Sequence, residues 1–202
     1  MITSDAPIRA FIALDIPTAT KSTLGEVIRS LTPQVPGGVR WVDPGAVHLT
    51  LKFLGNVEPA QVDGIVEALR RPAAVSPFRI WLSGLGVFPN ERRPRVLWVG
   101  LDGDLASLRE LQEEISGEMS GLGFPREARP FSPHLTLGRV QDRVSDGVRR
   151  RIGAAVSSTS LGPAESWLVD SVHLVRSHLA PGGATYTTLA SASLGSAGDK
   201  HE

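Results

Sequence analysis

The chain contains no cysteine among its 202 residues. This absence excludes a disulfide scaffold, a zinc site built on thiolates and a cysteine nucleophile. Any catalytic chemistry in this protein must therefore come from other side chains.

An excess of basic residues is also absent, because 21 lysines and arginines balance 21 aspartates and glutamates. Proteins that coat long nucleic acids usually carry such an excess, since neutralised phosphates supply much of their affinity. A polyanionic partner would thus be held at one end or at one phosphate.

Long apolar runs are lacking too, and no segment is long enough to span a bilayer. The first residues, MITSDAPIRA, do not show the basic, apolar and small-residue order of a signal peptide. We therefore expect a cytoplasmic location, no membrane partner, no obligate protein partner and a monomer.

Short apolar segments rich in strand formers alternate with segments of helical spacing. Several neighbouring strands, including SWLVDSVHLVRS, are joined by loops too short for a crossover helix, which favours antiparallel pairing and an α+β fold. We expect one two-lobed domain over residues 1–190 and a disordered tail over 191–202, where the chain is small and polar. The strongest helix pattern has four apolar residues on one face: Leu105, Leu108, Leu111 and Ile115.

The tetrapeptide His-Leu-Thr-Leu occurs twice, beginning at His48 and at His134. Both copies lie in segments with the pattern of a strand, VHLTLKFLG and SPHLTLGRV. A single His-x-Thr is expected by chance in roughly a quarter of such sequences, whereas an identical second copy is expected in about one in a thousand. The repeat predicts two related lobes, each presenting one copy.

The spacing of the repeat suits phosphate chemistry. Side chains alternate along a strand, so His48 and Thr50 share one face, as do His134 and Thr136. Two such strands set face to face would direct two hydroxyls and two imidazoles at one phosphate, with one histidine as base and the other as acid. The intervening leucines would point into the core: Leu49, Leu51, Leu135 and Leu137.

These residues also have structural interpretations. A lone histidine is more often structural than catalytic, and threonine is a common strand former, but the repeated pairing favours catalysis. His173 and His178 invite a metal site, yet their spacing across a strand end is poor and no third ligand stands out. We therefore expect no metal and no cofactor.

Two basic residues follow the motifs. By alternation, Lys52 shares the face of the first histidine and would add positive charge at the phosphate. Strict alternation points Arg139 away from the second histidine, so Arg139 reaches the site only if the strand bends or ends near Gly138. Because Lys52 and Gly138 hold the same motif position, the half-sites are not equivalent.

Other arginines leave two interpretations open. A loop carries Arg92, Arg93 and Arg95, and another carries Arg126 and Arg129 before the second motif. Each group either steers an anionic ligand toward the site or forms a solvated turn.

At its motif residues the sequence resembles the two-histidine (2H) phosphoesterases, which carry two His-x-Thr-x motifs. More narrowly, it is similar to the RNA 2′,3′-cyclic phosphodiesterases, also called 2′-5′ RNA ligases. The similarity covers about residues 8–190, and His178 falls in the variable position of the last segment. The similar segments are RAFIALDIP, VHLTLKFLG, GVFPNERRPRVLWVG, SPHLTLGRV and LVRSHLAPGGATYTTL.

The resemblance implies a bilobal, pseudo-symmetric α+β fold whose motifs face each other across a central cleft. It implies hydrolysis of an RNA 2′,3′-cyclic phosphate to a 2′-phosphate, without metal or ATP, and a reverse reaction that forms a 2′-5′ bond. In the family the first histidine is usually the proton donor and the second the acceptor, so His48 would be the acid and His134 the base. Arg139 matches the arginine that ends the family's second motif, which supports a bend near Gly138.

The partners implied are RNA ends or small cyclic nucleotides. Two other functions stay open: a phosphodiesterase for another cyclic phosphate or a 2′-5′ oligonucleotide, and a module that binds terminal phosphates without turnover.

Overall fold

The computed structural model describes residues 6–35, 37–71, 75–180 and 183–195, which contain nine strands and four α-helices. The strands are β1 (Ile8–Leu14), β2 (Val39–Trp41), β3 (Leu49–Val57), β4 (Phe78–Phe88), β5 (Val96–Gly103), β6 (His134–Val140), β7 (Trp167–Val169), β8 (Ser171–Ala180) and β9 (Gly183–Ser193). The helices are α1 (Thr18–Leu31), α2 (Val62–Ala68), α3 (Leu105–Gly121) and α4 (Asp146–Ser158).

The strands form two antiparallel sheets, with the orders β3-β1-β8-β9 and β2-β6-β5-β4-β7. Each sheet holds one copy of the repeat, since Leu49 begins β3 and His134 begins β6. The prediction of an α+β fold with two lobes built on antiparallel sheets is confirmed.

The two sheets are interlocked along the chain. Strand β2 precedes the first motif but pairs with β6 of the second, where Arg40 lies opposite Arg139. Strand β8 comes near the end of the chain but pairs with β1, where Leu174 lies opposite Ile12. Neither sheet can therefore be assembled from one half of the chain alone.

Two predicted boundaries are wrong. The segment SWLVDSVHLVRS is not one strand, because the exposed Asp170 separates β7, in the second sheet, from β8, in the first. The disordered tail does not begin at residue 191, because β9 continues to Ser193 and Leu194 is 6% exposed in the core. Residues 196–202 of the expected tail lie outside the described residues.

The larger of two buried apolar clusters in the described residues forms the core between the sheets and the helices. Helix α3 buries Leu108, Leu111 and Ile115 completely, as their spacing predicts, while Leu105 at its first turn is partly buried. Burial of side chains of this size typically contributes about 1.5–3 kcal/mol each. The four motif leucines also belong to this core: Leu49, Leu51, Leu135 and Leu137.

No helix in the described part of the chain combines the length and apolar character required to cross a membrane.

Strand β3 contains one more residue than its partner at the first motif. Thr50 lies opposite Ala13 of β1, and Lys52 lies opposite the next β1 residue toward the N-terminus, Ile12. Leu51 is left without a partner, which is the two-against-one pattern of a β-bulge.

Strand β6 has the same irregularity at the equivalent position. Thr136 lies opposite Trp98 of β5, Gly138 lies opposite Leu97, and Leu137 is left over. Both motif strands thus bulge at the fourth residue of His-Leu-Thr-Leu, and alternation of the side chains restarts after it.

Gly138 lies where β2 packs closely on β6. A Cβ at this position would be 2.8 Å from Cγ1 of Val39 and 3.1 Å from Cε3 of Trp41. Both side chains pack against the core, so the missing side chain of Gly138 lets β2 approach on the core side of the sheet.

Gly138→Ala should therefore lower the free energy of unfolding by about 1–3 kcal/mol, because the new methyl group overpacks against Val39 and Trp41. Urea denaturation measures this change. Gly64→Ala in α2 is the matched control, since its Cβ would meet nothing closer than 3.9 Å and alanine favours a helix. Equal stabilities of the two variants would contradict close packing at Gly138.

Candidate active site

The two motif histidines are held in the same way. Nδ1 of His48 donates to the carbonyl oxygen of Ala46 at 3.1 Å, and Nδ1 of His134 donates to that of Ser132 at 2.7 Å. A carbonyl oxygen can only accept, so each Nδ1 must carry a proton. In both rings Nε2 is therefore the nitrogen left for proton transfer.

Aromatic rings fix the plane of His48. The ring of Phe11 stacks on it, with centroids 4.4 Å apart, and Tyr186 meets it edge-on at 4.8 Å. Phe11 comes from β1 and Tyr186 from β9, so three strands of the first sheet combine around this histidine.

His134 has a comparable aromatic setting in the second sheet. Phe88 of β4 meets it edge-on at 5.0 Å, and the indole of Trp98 on β5 lies 6.4 Å away. The sequence analysis did not identify these neighbours. The sequence predicts that Phe88 and Trp98 lie in strands. It does not predict which aromatic rings lie beside a histidine, because that depends on strand pairing between distant segments.

Each threonine lies on the face that carries its histidine. Thr50 lies opposite Ala13 of β1. Ala13 is two residues from Phe11, the residue stacked on His48, so the two share one face of the strand. Residues directly opposite each other in a sheet project to the same side.

In the second sheet, Thr136 lies opposite Trp98, whose ring is beside His134. Both threonines are partly exposed, so both hydroxyls can bind an external group.

The bulge in β6 turns Arg139 to the face of His134. Arg139 lies opposite Val96 of β5, which is two residues from Trp98 and therefore shares its face of the strand. The sequence analysis required a bend near Gly138 for Arg139 to reach the site. That bend is present as the bulge one residue before Gly138. The Arg139 side chain is exposed and has no hydrogen bond or ion pair with the described residues.

The bulge in β3 has the opposite effect on Lys52, and the prediction that Lys52 shares the face of His48 is wrong. Lys52 is 1% exposed on the core side, opposite Ile12. Its ammonium donates to the carbonyl oxygen of Pro125 and to the Glu127 carboxylate, with Nζ to Oε2 at 3.0 Å. Its charge is therefore committed to the loop that precedes the second motif.

The residue that shares the face of His48 is Phe53 instead. It lies opposite Phe11, with ring centroids 6.2 Å apart, and it is 64% exposed. Phe53 and Arg139 thus hold equivalent positions in the two half-sites. Sequence reasoning missed Phe53 because simple alternation assigns its position to the core.

The pKa of His48 lies below its ordinary value of 6.5. Burial of the ring is the main cause, because it disfavours the charged imidazolium, and the charge of Lys21 acts in the same direction. The hydrogen bond to Ala46 and the Asp15 carboxylate act in the opposite direction. Lys21 and Asp15 form an ion pair with Nζ to Oδ1 at 2.8 Å, and their charges act on the pKa of His48 in opposite directions.

The other two histidines that the structure describes, His173 and His178, have separate partners. His173 contacts the hydroxyl oxygens of Ser191, at 2.8 Å from Nδ1, and of Ser171, at 3.4 Å from Nε2. His178 is exposed and contacts the Thr187 hydroxyl, with Nε2 to Oγ1 at 3.3 Å. Within the ranges described, no three histidine, aspartate or glutamate side chains are grouped as metal ligands would be.

The structure gives neighbours for two of the loop arginines that the sequence analysis singled out. Arg92 lines a cavity of about 680 Å³ beside Trp98 and Ser157. Arg126 lies near Gly117, because a Cβ there would be 3.2 Å from its guanidinium, so it packs against α3. Whether either steers a ligand stays a prediction.

Residues 28–181 match the family model of the 2'-5' RNA ligase superfamily. The chain belongs to this superfamily. Its two-histidine motifs and antiparallel sheets are therefore those of a known architecture.

Several proteins similar to this chain share the name RNA 2',3'-cyclic phosphodiesterase. A protein of Methanothermobacter thermautotrophicus named RNA 2',3'-cyclic phosphodiesterase is 34% identical over 187 residues, covering 90% of this chain and 96% of its own. A protein of Archaeoglobus fulgidus with the same name is 34% identical, covering 90% and 97%.

Solved structures have the same fold. A protein of Thermus thermophilus superposes with a TM-score of 0.74 at 30% identity, covering 93% of this chain and 98% of its own. The E. coli LigT complex with 3'-AMP gives a TM-score of 0.76 at 26% identity, with the same coverage.

Lys52→Met should lower the free energy of unfolding by about 1–3 kcal/mol, because the carbonyl of Pro125 loses its buried donor. Glu127→Gln should lower the free energy of unfolding less, since Glu127 is exposed and the ammonium keeps its other partner. Urea denaturation of both variants tests this order. An unchanged stability of Lys52→Met would refute the structural assignment of Lys52.

Removal of the charge at Lys21 should raise the pKa of His48, and removal of the charge at Asp15 should lower it. A neighbouring cation disfavours the imidazolium, whereas a neighbouring carboxylate favours it. NMR titration of the His48 ring in Lys21→Gln and Asp15→Asn measures both shifts. Lys21→Arg keeps the charge and is the control, so identical titrations of Lys21→Gln and Lys21→Arg would contradict the role of this charge.

Proposed function

We propose that this protein hydrolyses RNA 2′,3′-cyclic phosphate ends to 2′-phosphates by acid–base catalysis between His48 and His134. The observation that carries the proposal is the matched pair of half-sites. Each presents an Nε2 from a ring anchored at Nδ1, with a threonine hydroxyl on the same face. The names of relatives that match nine-tenths of the chain support the substrate class.

In this mechanism the two histidine-bearing faces border one cleft that holds the cyclic phosphate. Nε2 of His134 accepts a proton from water, and the water oxygen forms a bond to phosphorus. The bond from phosphorus to O3′ breaks, and O3′ receives a proton from Nε2 of His48. The products are a 2′-phosphate and a free 3′-hydroxyl.

The surroundings of His48 suit the role of acid. Burial lowers the pKa of His48, so the imidazolium gives up its proton readily. A bound phosphate anion would counteract that effect and favour the charged ring while substrate is present. The carbonyl of Ala46 accepts from Nδ1 in either charge state and keeps Nε2 directed at the substrate.

The other residues of the two faces divide the binding of the substrate. The hydroxyls of Thr50 and Thr136 donate to the non-bridging phosphate oxygens, and the guanidinium of Arg139 neutralises the charge that develops there. Phe53 offers an exposed aromatic surface in the first half-site, on which the base of the terminal nucleotide can stack.

The same groups can also transfer the phosphate to a second nucleophile. With a 5′-hydroxyl in place of water, His134 would deprotonate the attacking oxygen, which bonds to phosphorus. The bond from phosphorus to O3′ would break, O3′ would receive a proton from His48, and a 2′-5′ linkage would form. The superfamily name favours this second activity. Both activities need the same two histidines, so they are distinguished by the product and not by these residues.

His48→Ala and His134→Ala should each lower kcat by about 10²-fold or more, because each removes one proton-transfer group. The substrate is a short RNA with a 2′,3′-cyclic phosphate, incubated with a chelator, and the end group is followed by chromatography. His178→Ala is the matched control, since His178 is exposed and projects from the other face of β8.

The wild-type product should be a 2′-phosphate. Formation of a 3′-phosphate, or a requirement for added metal, would overturn this mechanism. Tight binding of the cyclic end with no turnover would assign the protein as a terminal-phosphate binding module.

A further inference from the structure

Arg40 lies on the reactive side of the second sheet, although the sequence analysis gave it no role. It is the central residue of β2 and lies directly opposite Arg139 of β6. Its neighbours Val39 and Trp41 pack over Gly138 on the core side, so Arg40 projects to the other side together with Arg139.

The two guanidinium groups form a like-charge pair without compensation. Both side chains are exposed, and neither has a hydrogen bond or an ion pair with any residue that the structure describes. Like charges directly opposite each other in a sheet are destabilising. An arrangement of this kind is relieved when anions bind between or beside the two cations.

The position of β2 indicates which anions these are. Strand β2 is the edge of the second sheet, so Arg40 lies one strand farther from Trp98 and β5 than Arg139 does. In the proposed function Arg139 neutralises the reactive phosphate. A second phosphate, next along an RNA strand that leaves the cleft over this edge, would then meet Arg40.

We propose that Arg40 forms a subsite for the phosphodiester on the 5′ side of the terminal nucleotide, which makes the protein prefer RNA ends to cyclic mononucleotides. This inference rests on the proposed function and names the feature of the substrate that selects RNA. It accounts for a pair of adjacent cations in a chain whose net charge is zero.

The test compares Arg40→Gln with the wild type on two substrates, uridine 2′,3′-cyclic phosphate and a tetranucleotide that ends in a 2′,3′-cyclic phosphate. KM for the tetranucleotide should rise about tenfold, as expected for one charge-assisted hydrogen bond, and KM for the mononucleotide should not change. The slope of log KM against log salt for the tetranucleotide should fall by about 0.7, the value for one phosphate of a single strand.

Arg109→Gln is the matched control, because it removes the same charge from an exposed position on α3. Thermal unfolding should show that Arg40→Gln is at least as stable as the wild type, since it relieves repulsion. Equal KM increases for both substrates, or no change for either, would overturn the inference while leaving the proposed function intact.

Binding provides a readout that does not need turnover. Fluorescence anisotropy with a labelled tetranucleotide ending in a 2′-phosphate should show about tenfold weaker binding to Arg40→Gln than to the wild type. If the wild type hydrolyses neither substrate, the proposed function fails, and unchanged anisotropy in Arg40→Gln would then reject the subsite separately.

Discussion

In both sheets the strand that carries a histidine bulges at the fourth residue of its His-Leu-Thr-Leu motif, at Leu51 and at Leu137. A bulge consumes one residue without advancing the pairing, so the side chains that follow change faces. The second residue after the motif thereby shares the face of the histidine and the threonine. The first residue after the motif is turned to the core. Without this extra residue, Lys52 would replace Phe53 on the first face, and the second face would lose Arg139 to the core side.

The identical bulges hold different residues and so make the half-sites unequal. The core-facing fifth residue is Lys52 in one, where it binds the loop before the second motif, and Gly138 in the other, where it admits β2. The reactive face receives Phe53 in one and Arg139 in the other. One half-site therefore offers an aromatic ring on which a nucleobase could stack. The other offers a cation that could bind a phosphate, so the pair matches the two ends of the proposed nucleotide substrate.

Much of this arrangement could be predicted from the sequence, because alternation along a strand is a local rule. It correctly placed Leu49 and Leu135 in the core and each threonine on the face of its histidine. It failed at Lys52, since no residue in VHLTLKFLG marks the bulge, whereas Gly138 does so in the second copy. Contacts such as that of Tyr186 with His48 join distant segments and leave no local pattern.

The pairing of β1 with β8 has a consequence for how the molecule is made. Ile12 and Leu174 are neighbours in the sheet but lie near opposite ends of the chain. Closing so long a loop carries a large entropic cost before any contact is gained, which slows folding. On the ribosome, β1 and β3 emerge long before β8 and β9, so the sheet beside His48 must remain incomplete until β8 and β9 have been synthesised.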